Sequence, residues 1–283
     1  MIPAVHSGPS QCYSREYHKK TAWRDPGPIG AGRSYGKMPT RNMSVIINWL
    51  RSLAAYVALV LYIAIVGPPA LAVAVLTGRA GHVFALGRFG ATAVRRLLGI
   101  RLDVSGLEHV VGDRPTLYCI NHRSNVDVVA FEALFPRCPR LRGLYKAEMG
   151  KLPVLGRAMR LVGFVPVDRA NRASAIASVD AAAARLAAGD SFLIAPEGTR
   201  ARDGRLLPFK KGGFVMAIKA QAPVVPVALH GTADAMPRGR FWVKPGVVRI
   251  VVGPPIPTEG LTVDDRDRLT TTVRDRMQDM LAR

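Results

Sequence analysis

Short apolar runs alternate with amphipathic stretches from about residue 100 onward. Helical periodicity is clearest from Ala173 to Ala188, whose apolar positions share one face and which Gly189 would end. Further helical patterns cover residues 80–98, 212–222 and 264–283. Runs typical of strands lie at residues 101–104, 117–120, 141–145, 164–167, 192–195, 224–229 and 247–252. The alternation predicts one α/β domain, residues 100–283, with a mostly parallel mixed sheet and surrounding helices.

An uncharged apolar run from Leu53 to Leu76 precedes this domain. At about 1.5 Å per residue it is long enough to cross a bilayer once. The sequence Gly67-Pro68-Pro69 in its middle predicts a break or kink in the helix. Basic residues flank both ends of the run, which favours a shallow re-entrant hairpin with both ends in the cytoplasm over a true span. A buried core helix is the alternative.

The next stretch, residues 80–98, has one apolar face and a largely basic opposite face. This pattern is typical of a helix lying in a membrane interface, and equally of a helix packed on the following domain. Together with the apolar run it predicts a membrane-associated helical segment at residues 43–99.

Residues 1–42 are rich in Gly, Pro, Ser and basic residues without apolar periodicity, which predicts a disordered or non-essential tail with Met43 a plausible true start.

The chain is strongly basic, with 40 Lys and Arg against 20 Asp and Glu and a net charge of +20. Such a charge favours an anionic partner, either nucleic acid or an anionic membrane. The basic residues are scattered rather than striped along one helix with interleaved aromatics, which argues against nucleic acid. The three cysteines, Cys12, Cys119 and Cys138, have neither a metal-ligand spacing nor a disulfide framework, so we expect a reducing compartment and no metal.

The first candidate for chemistry is the stretch Asn121-His122-Arg123-Ser124-Asn125-Val126-Asp127. His122 falls at the exit of a predicted strand and Asp127 in the first turn of the following helix. That offset can bring the imidazole and the carboxylate within hydrogen-bonding reach, so that the carboxylate fixes the tautomer and stabilises the imidazolium. The pair predicts a general base able to deprotonate an alcohol. A helix-capping Asp beside a His with satisfied hydrogen bonds stays open as the alternative.

Basic residues stand at the ends of several other predicted elements. Lys146 follows the strand ending at Tyr145, and Arg169 follows the run at residues 164–167. Arg200 closes Pro196-Glu197-Gly198-Thr199-Arg200, where Gly198 allows a tight turn and the guanidinium offers a planar fork of donors. Phe209-Lys210-Lys211-Gly212-Gly213 opens a helix, where anions are favoured. These positions predict one shared anionic site, with an ion pair between Glu197 and Arg200 as the alternative for that loop.

In this order the motifs resemble those of the glycerolipid acyltransferase family typified by 1-acylglycerol-3-phosphate acyltransferases. The family carries Asn-His-x4-Asp, a Pro-Val-Asp-Arg-like block, a Pro-Glu-Gly-Thr-Arg block and a Val-Pro-Val block. Here these are Asn121–Asp127, Val165–Arg169, Pro196–Arg200 and Val224–Gly231. The resemblance covers the chain from about Leu53 to its C terminus. Arg123 departs from the residues often found at its position in the family.

The resemblance implies a glycerolipid-acyltransferase-like domain that transfers an acyl group directly from acyl-CoA or acyl carrier protein, without a covalent acyl-enzyme, metal or cofactor. His122 would deprotonate the acceptor hydroxyl, with Asp127 orienting it. The implied acceptor site takes in Arg200 as the main phosphate ligand, assisted by Lys146, Arg169, Arg123 and Ser124, with a loop shaped by Glu197, Gly198 and Thr199.

The leading expectation for the acceptor is 1-acylglycerol-3-phosphate, acylated to phosphatidate at the cytoplasmic face of the inner membrane. The expected partners are thus membrane lipid, a lysophospholipid and an acyl donor, and not nucleic acid. The alternatives are another lysolipid such as lyso-ornithine lipid, or a non-catalytic basic protein that binds membrane or nucleic acid.

Overall fold

The computed structural model describes residues 40–110, 112, 114–168, 170–201 and 205–283, with side chains from residue 43 onward. The predicted tail therefore lies outside the described residues, apart from the start of helix α1 at Thr40. Arg169, one of the predicted phosphate ligands, also lies outside them.

Seven strands form one mixed sheet in the order β1-β7-β6-β2-β5-β3-β4. Their bounds are β1 Ile100–Ser105, β2 Leu117–Ile120, β3 Leu141–Lys146, β4 Val165–Val167, β5 Ser191–Ile194, β6 Val224–His230 and β7 Gly246–Val252. Every neighbouring pair is parallel except β6 and β7, so β7 and β1 run opposite to the other five strands. The predicted α/β class, with a mostly parallel mixed sheet, is confirmed.

Helices connect and cover these strands. After α1 Thr40–Thr77 and α2 Gly81–Leu97 they are α3 Val129–Leu134, α4 Pro153–Leu161, α5 Arg172–Ala187, α6 Gly212–Ala220, α7 Thr232–Ala235 and α8 Arg266–Leu281. Helix α5 shows how local sequence sets the bounds. The side chain of Asn171 accepts a hydrogen bond from Ser174 N at 3.1 Å to cap its start, and Gly189 follows its end with φ at 97°.

The central strand β2 separates two apolar cores. Because successive side chains of a strand point to opposite faces, Leu117 and Cys119 join one cluster and Tyr118 and Ile120 the other. The first cluster also contains buried side chains of α5, α6 and α8. The second contains buried side chains of α3 and Ala55 of α1. All four residues of β2 are buried, which fixes the position of whatever follows its carboxyl end.

Helix α1 runs unbroken through Pro68 and Pro69, so the break predicted there is wrong, while the alternative, a kink, stays a prediction. The apolar run is also not a hairpin, since its first turn comes at Gly78, which has φ of 67° and ends the helix. The helix continues through its prolines because the residues before and after them pack closely against α4. Gly67 lies so near Val154 of α4 that a Cβ would collide with it, and Ala70 and Ala74 pack beside Ala158.

Much of α1 is apolar and uncovered. Residues Met43–Thr77 form a helix long and apolar enough to cross a membrane, and only 6% of its most apolar part is buried. Val60, Ile65 and Leu76 are 64%, 68% and 85% exposed. Single apolar residues on a surface are ordinary, but a continuous row of them is typical of membrane association.

Helix α2 packs against both α1 and the domain. The hydroxyl of Tyr62 in α1 donates to Leu86 O at 2.9 Å. Arg95 pairs with Glu132 of α3 at 2.7 Å, and the rings of Phe84 and Phe135 lie 4.2 Å apart. The structure thus shows packing on the following domain, one of the two interpretations that the sequence left open for this helix.

Candidate active site

The turn after β2 brings His122 and Asp127 together. His122 Nδ1 lies 2.7 Å from Asp127 Oδ2, and the same oxygen accepts hydrogen bonds from Arg123 N at 2.8 Å and Ser124 N at 2.9 Å. Asp127 is 2% exposed, whereas the side chain of His122 is 27% exposed. Since Nδ1 faces the carboxylate, Nε2 is the nitrogen left to take a proton. The predicted geometry of the pair is present.

Ser124 shapes this turn from the middle. Its hydroxyl accepts from Val126 N at 3.2 Å and donates to Met236 O at 2.8 Å, capping a 3₁₀ turn at Asn125–Val128. Asp127 completes a capping box by accepting from the backbone N–H of Ser124. The capping and catalytic interpretations of Asp127 are therefore not exclusive, because one carboxylate oxygen caps the turn and orients the imidazole.

Asn121, the residue before His122, holds the end of β2 to β6. Its side chain donates to Leu229 O at 3.0 Å and accepts from Leu229 N at 2.7 Å. Both groups are buried, so the paired bonds replace the strand-to-strand bonds that end here. Our sequence-based site assignment did not include Asn121, although it belongs to the same motif.

Glu197 ties the Pro196–Arg200 loop to the backbone of His122. Its Oε1 accepts from His122 N at 2.7 Å and its Oε2 from Leu207 N at 2.9 Å, while Ala201 N donates to His122 O at 2.8 Å. Glu197 is 3% exposed, and burial raises the pKa of its carboxyl, although the two N–H donors act to lower it. Both carboxylate oxygens thus bind backbone N–H groups, and the alternative ion pair with Arg200 is not formed.

Gly198 is required by its conformation and by its neighbour. Its φ is 68°, and a Cβ there would lie 2.8 Å from Cε of Lys210. Gly198 N donates to Ala195 O at 3.0 Å, and Lys210 N donates to Pro196 O at 2.8 Å, so the loop is closed at both ends. Thr199 is exposed and Arg200 half-buried, and Arg238 donates from Nη1 to Arg200 O at 2.7 Å.

A cavity of about 460 Å³ opens beside His122. It is large enough for a substantial part of a lipid-sized substrate. Its polar lining includes His122, Ser124, Asn125, Asp127 and Lys210. The remainder is mainly apolar, including Phe131, Leu144, Val179, Leu193 and Ile194. A reactive base at the edge of an apolar space is the arrangement that an acyl group and an alcohol would need.

Of the basic residues assigned to the phosphate, those that the structure describes do not line this cavity. Lys146 is 62% exposed and pairs with Glu148 at 3.1 Å, and neither it nor Arg123, Glu197, Thr199 or Arg200 lines the cavity. Lys210 does line it, and is the only Lys or Arg among the described residues to do so. Lys210 belongs to the basic cluster that opens α6, which the sequence places in the shared anionic site, although Lys210 is not among the individual residues assigned to the phosphate.

Neither cysteine near the sheet is placed as a nucleophile. Cys119 and Cys138 are buried, and burial raises the pKa of both thiols. In the described part of the chain, no three His, Cys, Asp or Glu side chains are grouped so as to hold a metal ion.

The fold and the site together define an α/β acyltransferase, with a His-x4-Asp pair at the exit of a central strand. The family model described as Acyltransferase matches residues 101–230. The human 1-acyl-sn-glycerol-3-phosphate acyltransferase alpha is 32% identical over 227 residues, covering 80% of this chain and 78% of that protein. The 1-acyl-sn-glycerol-3-phosphate acyltransferase of Limnanthes douglasii is 36% identical over 180 residues, 63% of each chain.

A solved structure has the same fold. The crystal structure of the 1-acyl-sn-glycerophosphate (LPA) acyltransferase PlsC from Thermotoga maritima superposes with a TM-score of 0.70, at 24% identity, covering 84% of this chain and 97% of that one. The chain belongs to the 1-acylglycerol-3-phosphate acyltransferase family and is an O-acyltransferase. The resemblance seen in the motifs is confirmed, and the alternative of a non-catalytic basic protein is set aside.

Proposed function

We propose that the protein transfers a fatty acyl group from a thioester to the free hydroxyl of 1-acylglycerol-3-phosphate, giving phosphatidate. The observation that carries this proposal is the His122–Asp127 pair, with its 2.7 Å separation, at the edge of a largely apolar cavity. The names of three relatives, each a 1-acyl-sn-glycerol-3-phosphate acyltransferase, support the choice of acceptor.

His122 acts as the general base. Nε2 takes the proton of the acceptor hydroxyl while its oxygen attacks the thioester carbonyl carbon, and Asp127 stabilises the imidazolium. The tetrahedral intermediate then collapses as the carbon–sulfur bond breaks. The thiolate leaves with the proton that His122 returns, so the products are the ester and a free thiol. The buried cysteines and the partly exposed imidazole of His122 fit direct transfer rather than an acyl-cysteine intermediate.

The phosphate of the acceptor is held by basic side chains at positions that follow strands in the sequence. Arg200 offers the bidentate fork, with Lys146, Arg169 and Arg123 assisting from the neighbouring strand ends. Lys210 adds a cation on the cavity wall itself. Ser124, Glu197, Gly198 and Thr199 act through the backbone geometry of the two loops that carry His122 and Arg200.

The acyl donor is acyl-CoA or acyl carrier protein, and the reaction needs neither a metal nor another cofactor. The exposed apolar face of α1 supports a membrane location, where a lysolipid enters and a two-tailed product leaves. Basic residues at both ends of the apolar run favour the cytoplasmic face of the inner membrane, with membrane lipid as partner and without nucleic acid.

The test is a side-by-side assay of the purified protein with 1-acylglycerol-3-phosphate, glycerol-3-phosphate and lyso-ornithine lipid, using both donor types and detecting the free thiol. We expect 1-acylglycerol-3-phosphate to react fastest. A charge-assisted contact is worth about 1.5–3 kcal/mol, so Arg200→Ala lowers kcat/KM about 10–150-fold for this acceptor. Arg276→Ala, which removes an exposed arginine of α8, is the matched control. Preference for lyso-ornithine lipid with a nearly silent Arg200→Ala contradicts the proposed acceptor.

A further inference from the structure

The loop Met236–Val243, here called the aromatic loop, presents rings and cations beside α1. Phe241 is 48% exposed and meets Trp49 of α1, itself 40% exposed, edge to face with centroids 5.7 Å apart. The guanidinium of Arg240 lies 5.1 Å above the ring of Trp242. Exposed aromatic rings flanked by arginine are typical of the boundary between lipid headgroups and acyl chains.

Hydrogen bonds fix the aromatic loop to α1. The hydroxyl of Tyr56 donates to Phe241 O at 2.6 Å, and Val243 N donates to the hydroxyl of Ser52 at 2.8 Å. Val243 is 1% exposed. On the same helix Ile46 and Leu53, three residues before and four after Trp49, are 53% and 41% exposed. The loop therefore continues the uncovered apolar surface of α1.

The loop carries two cations that have no counter-ion among the residues that the structure describes. Arg238 and Arg240 are exposed, and in the described residues no carboxylate pairs with either. Lys244, directly after the loop, is exposed as well. Arginine side chains can lie along apolar surface while their charged ends reach the headgroup layer. An aromatic and cationic surface continuous with a membrane helix is complementary to anionic lipid.

We propose that the aromatic loop binds the anionic phospholipid headgroups of the bilayer that holds α1. This inference rests on the proposed membrane location. Two hydrogen bonds connect the aromatic loop to the catalytic site. Met236 O accepts from the Ser124 hydroxyl at 2.8 Å, and Arg238 donates to Arg200 O at 2.7 Å. The loop thus positions both the turn that carries His122 and the loop that carries Arg200.

The experiment uses tryptophan emission, which brominated acyl chains quench on contact. Replacing Trp23 and Trp49 by Phe leaves Trp242 as the single reporter in the full chain. We expect Trp242 to lose more emission when the brominated lipid is phosphatidylglycerol than when it is phosphatidylcholine, in vesicles of the two lipids mixed. Arg240→Gln lowers the ratio of quenching by phosphatidylglycerol to quenching by phosphatidylcholine up to about fivefold. It leaves turnover of a short-chain, water-soluble acceptor unchanged. Each variant is compared with itself in unbrominated vesicles.

Two further single-tryptophan proteins complete the design. In the first, Trp49 is the only tryptophan and reports on α1. In the second, all three native tryptophans are replaced by Phe and Val263→Trp is added before α8, as the control remote from α1. Quenching of Trp49 without Trp242, or equal quenching of Trp242 by both lipids, overturns the inference and leaves the membrane location standing. If Trp49 is not quenched either, both are overturned. Quenching of the Val263→Trp protein equal to that of Trp242 also overturns the inference.

Discussion

The turn that carries His122 and the helix α1 are completed in opposite ways. In the turn, both backbone groups of His122 have partners and Asp127 Oδ2 accepts three hydrogen bonds between 2.7 and 2.9 Å. In α1, apolar side chains such as Ile65 and Leu76 stand 68% and 85% exposed. The chain itself supplies the hydrogen bonds that orient the catalytic pair, and leaves a face of α1 uncovered.

The difference follows from what each region has to accomplish. A general base works only when its tautomer and position are fixed, and fixing them takes directional bonds from groups at set distances. An apolar surface needs only to be removed from water, and any apolar medium does so without direction. Each single substitution in the turn should therefore lower the catalytic rate strongly. Changes toward and beyond the N terminus of α1 should lower it less.

The largest effect is expected for His122→Ala. Removal of a positioned general base lowers kcat about 10²–10⁴-fold. Asp127→Asn should be severely impaired while the fold is retained, because an amide at this position no longer stabilises the imidazolium. Initial rates of thiol release measure both variants, with His109→Ala as a control histidine outside the site. Near-normal turnover by His122→Ala would falsify the mechanism.

Glu197→Gln should come next, with kcat lowered on the order of 10²-fold. The amide nitrogen of Gln is a donor and would face one of the two N–H groups that now bind the carboxylate, which costs about 1.5–3 kcal/mol. We expect a lower midpoint in denaturant as well as the lower rate. Glu259→Gln, on the exposed segment before α8, serves as the control. A variant with normal kcat would show that the link between the two loops does not position His122.

Lys210→Ala should lower kcat/KM about tenfold, the lower end of what a charge-assisted contact supplies. The neighbouring Lys211→Ala is the matched control, since Lys211 pairs with Asp267 at 2.8 Å and does not line the cavity. Full kinetics with 1-acylglycerol-3-phosphate separate an effect on KM from one on kcat. Equal effects of the two substitutions would argue against a specific role for the cavity lysine.

The smallest effect is expected when residues 1–39 are deleted. The described contacts of α1 with the domain begin beyond that point, at Trp49, Arg51 and Ser52. Activity and membrane association should both be unchanged, as measured by thiol release and by carbonate and detergent extraction of membranes. Deletion through Arg79 is a harsher change than the sequence implied, because it also removes Ala55, which is 0% exposed in the core. Loss of activity on the shorter deletion would contradict the prediction that the tail is dispensable.

The sequence predicted the strands and the catalytic pair because both depend on local signals. Apolar runs such as Leu117–Ile120 are short, and a His and an Asp across one turn meet without help from distant residues. The interruption expected at Pro68 did not occur, since packing of Gly67 against Val154 outweighs the local preference of proline.

The phosphate site could not be predicted in the same way. Lys146 and Lys210 look alike in sequence, each basic and each at the edge of an element. What separates them is that Lys146 turns to Glu148, whereas Lys210 lies over Gly198 at the cavity. Likewise, nothing near Glu197 in sequence indicates that its carboxylate binds the N–H of His122, 75 residues away. Contacts of this kind appear only when the loops at one edge of the sheet are brought together.

The pairing of β1 with β7 has a consequence for synthesis of the protein. Strand β1 begins at residue 100 and lies at the edge of the sheet, where its one neighbouring strand, β7, begins at residue 246. At the usual pace of translation, roughly 7–30 s pass between the synthesis of β1 and that of β7. By then α1 has already left the ribosome. A nascent chain stalled before residue 246 should therefore expose β1 to a protease, even when α1 is already associated with the membrane.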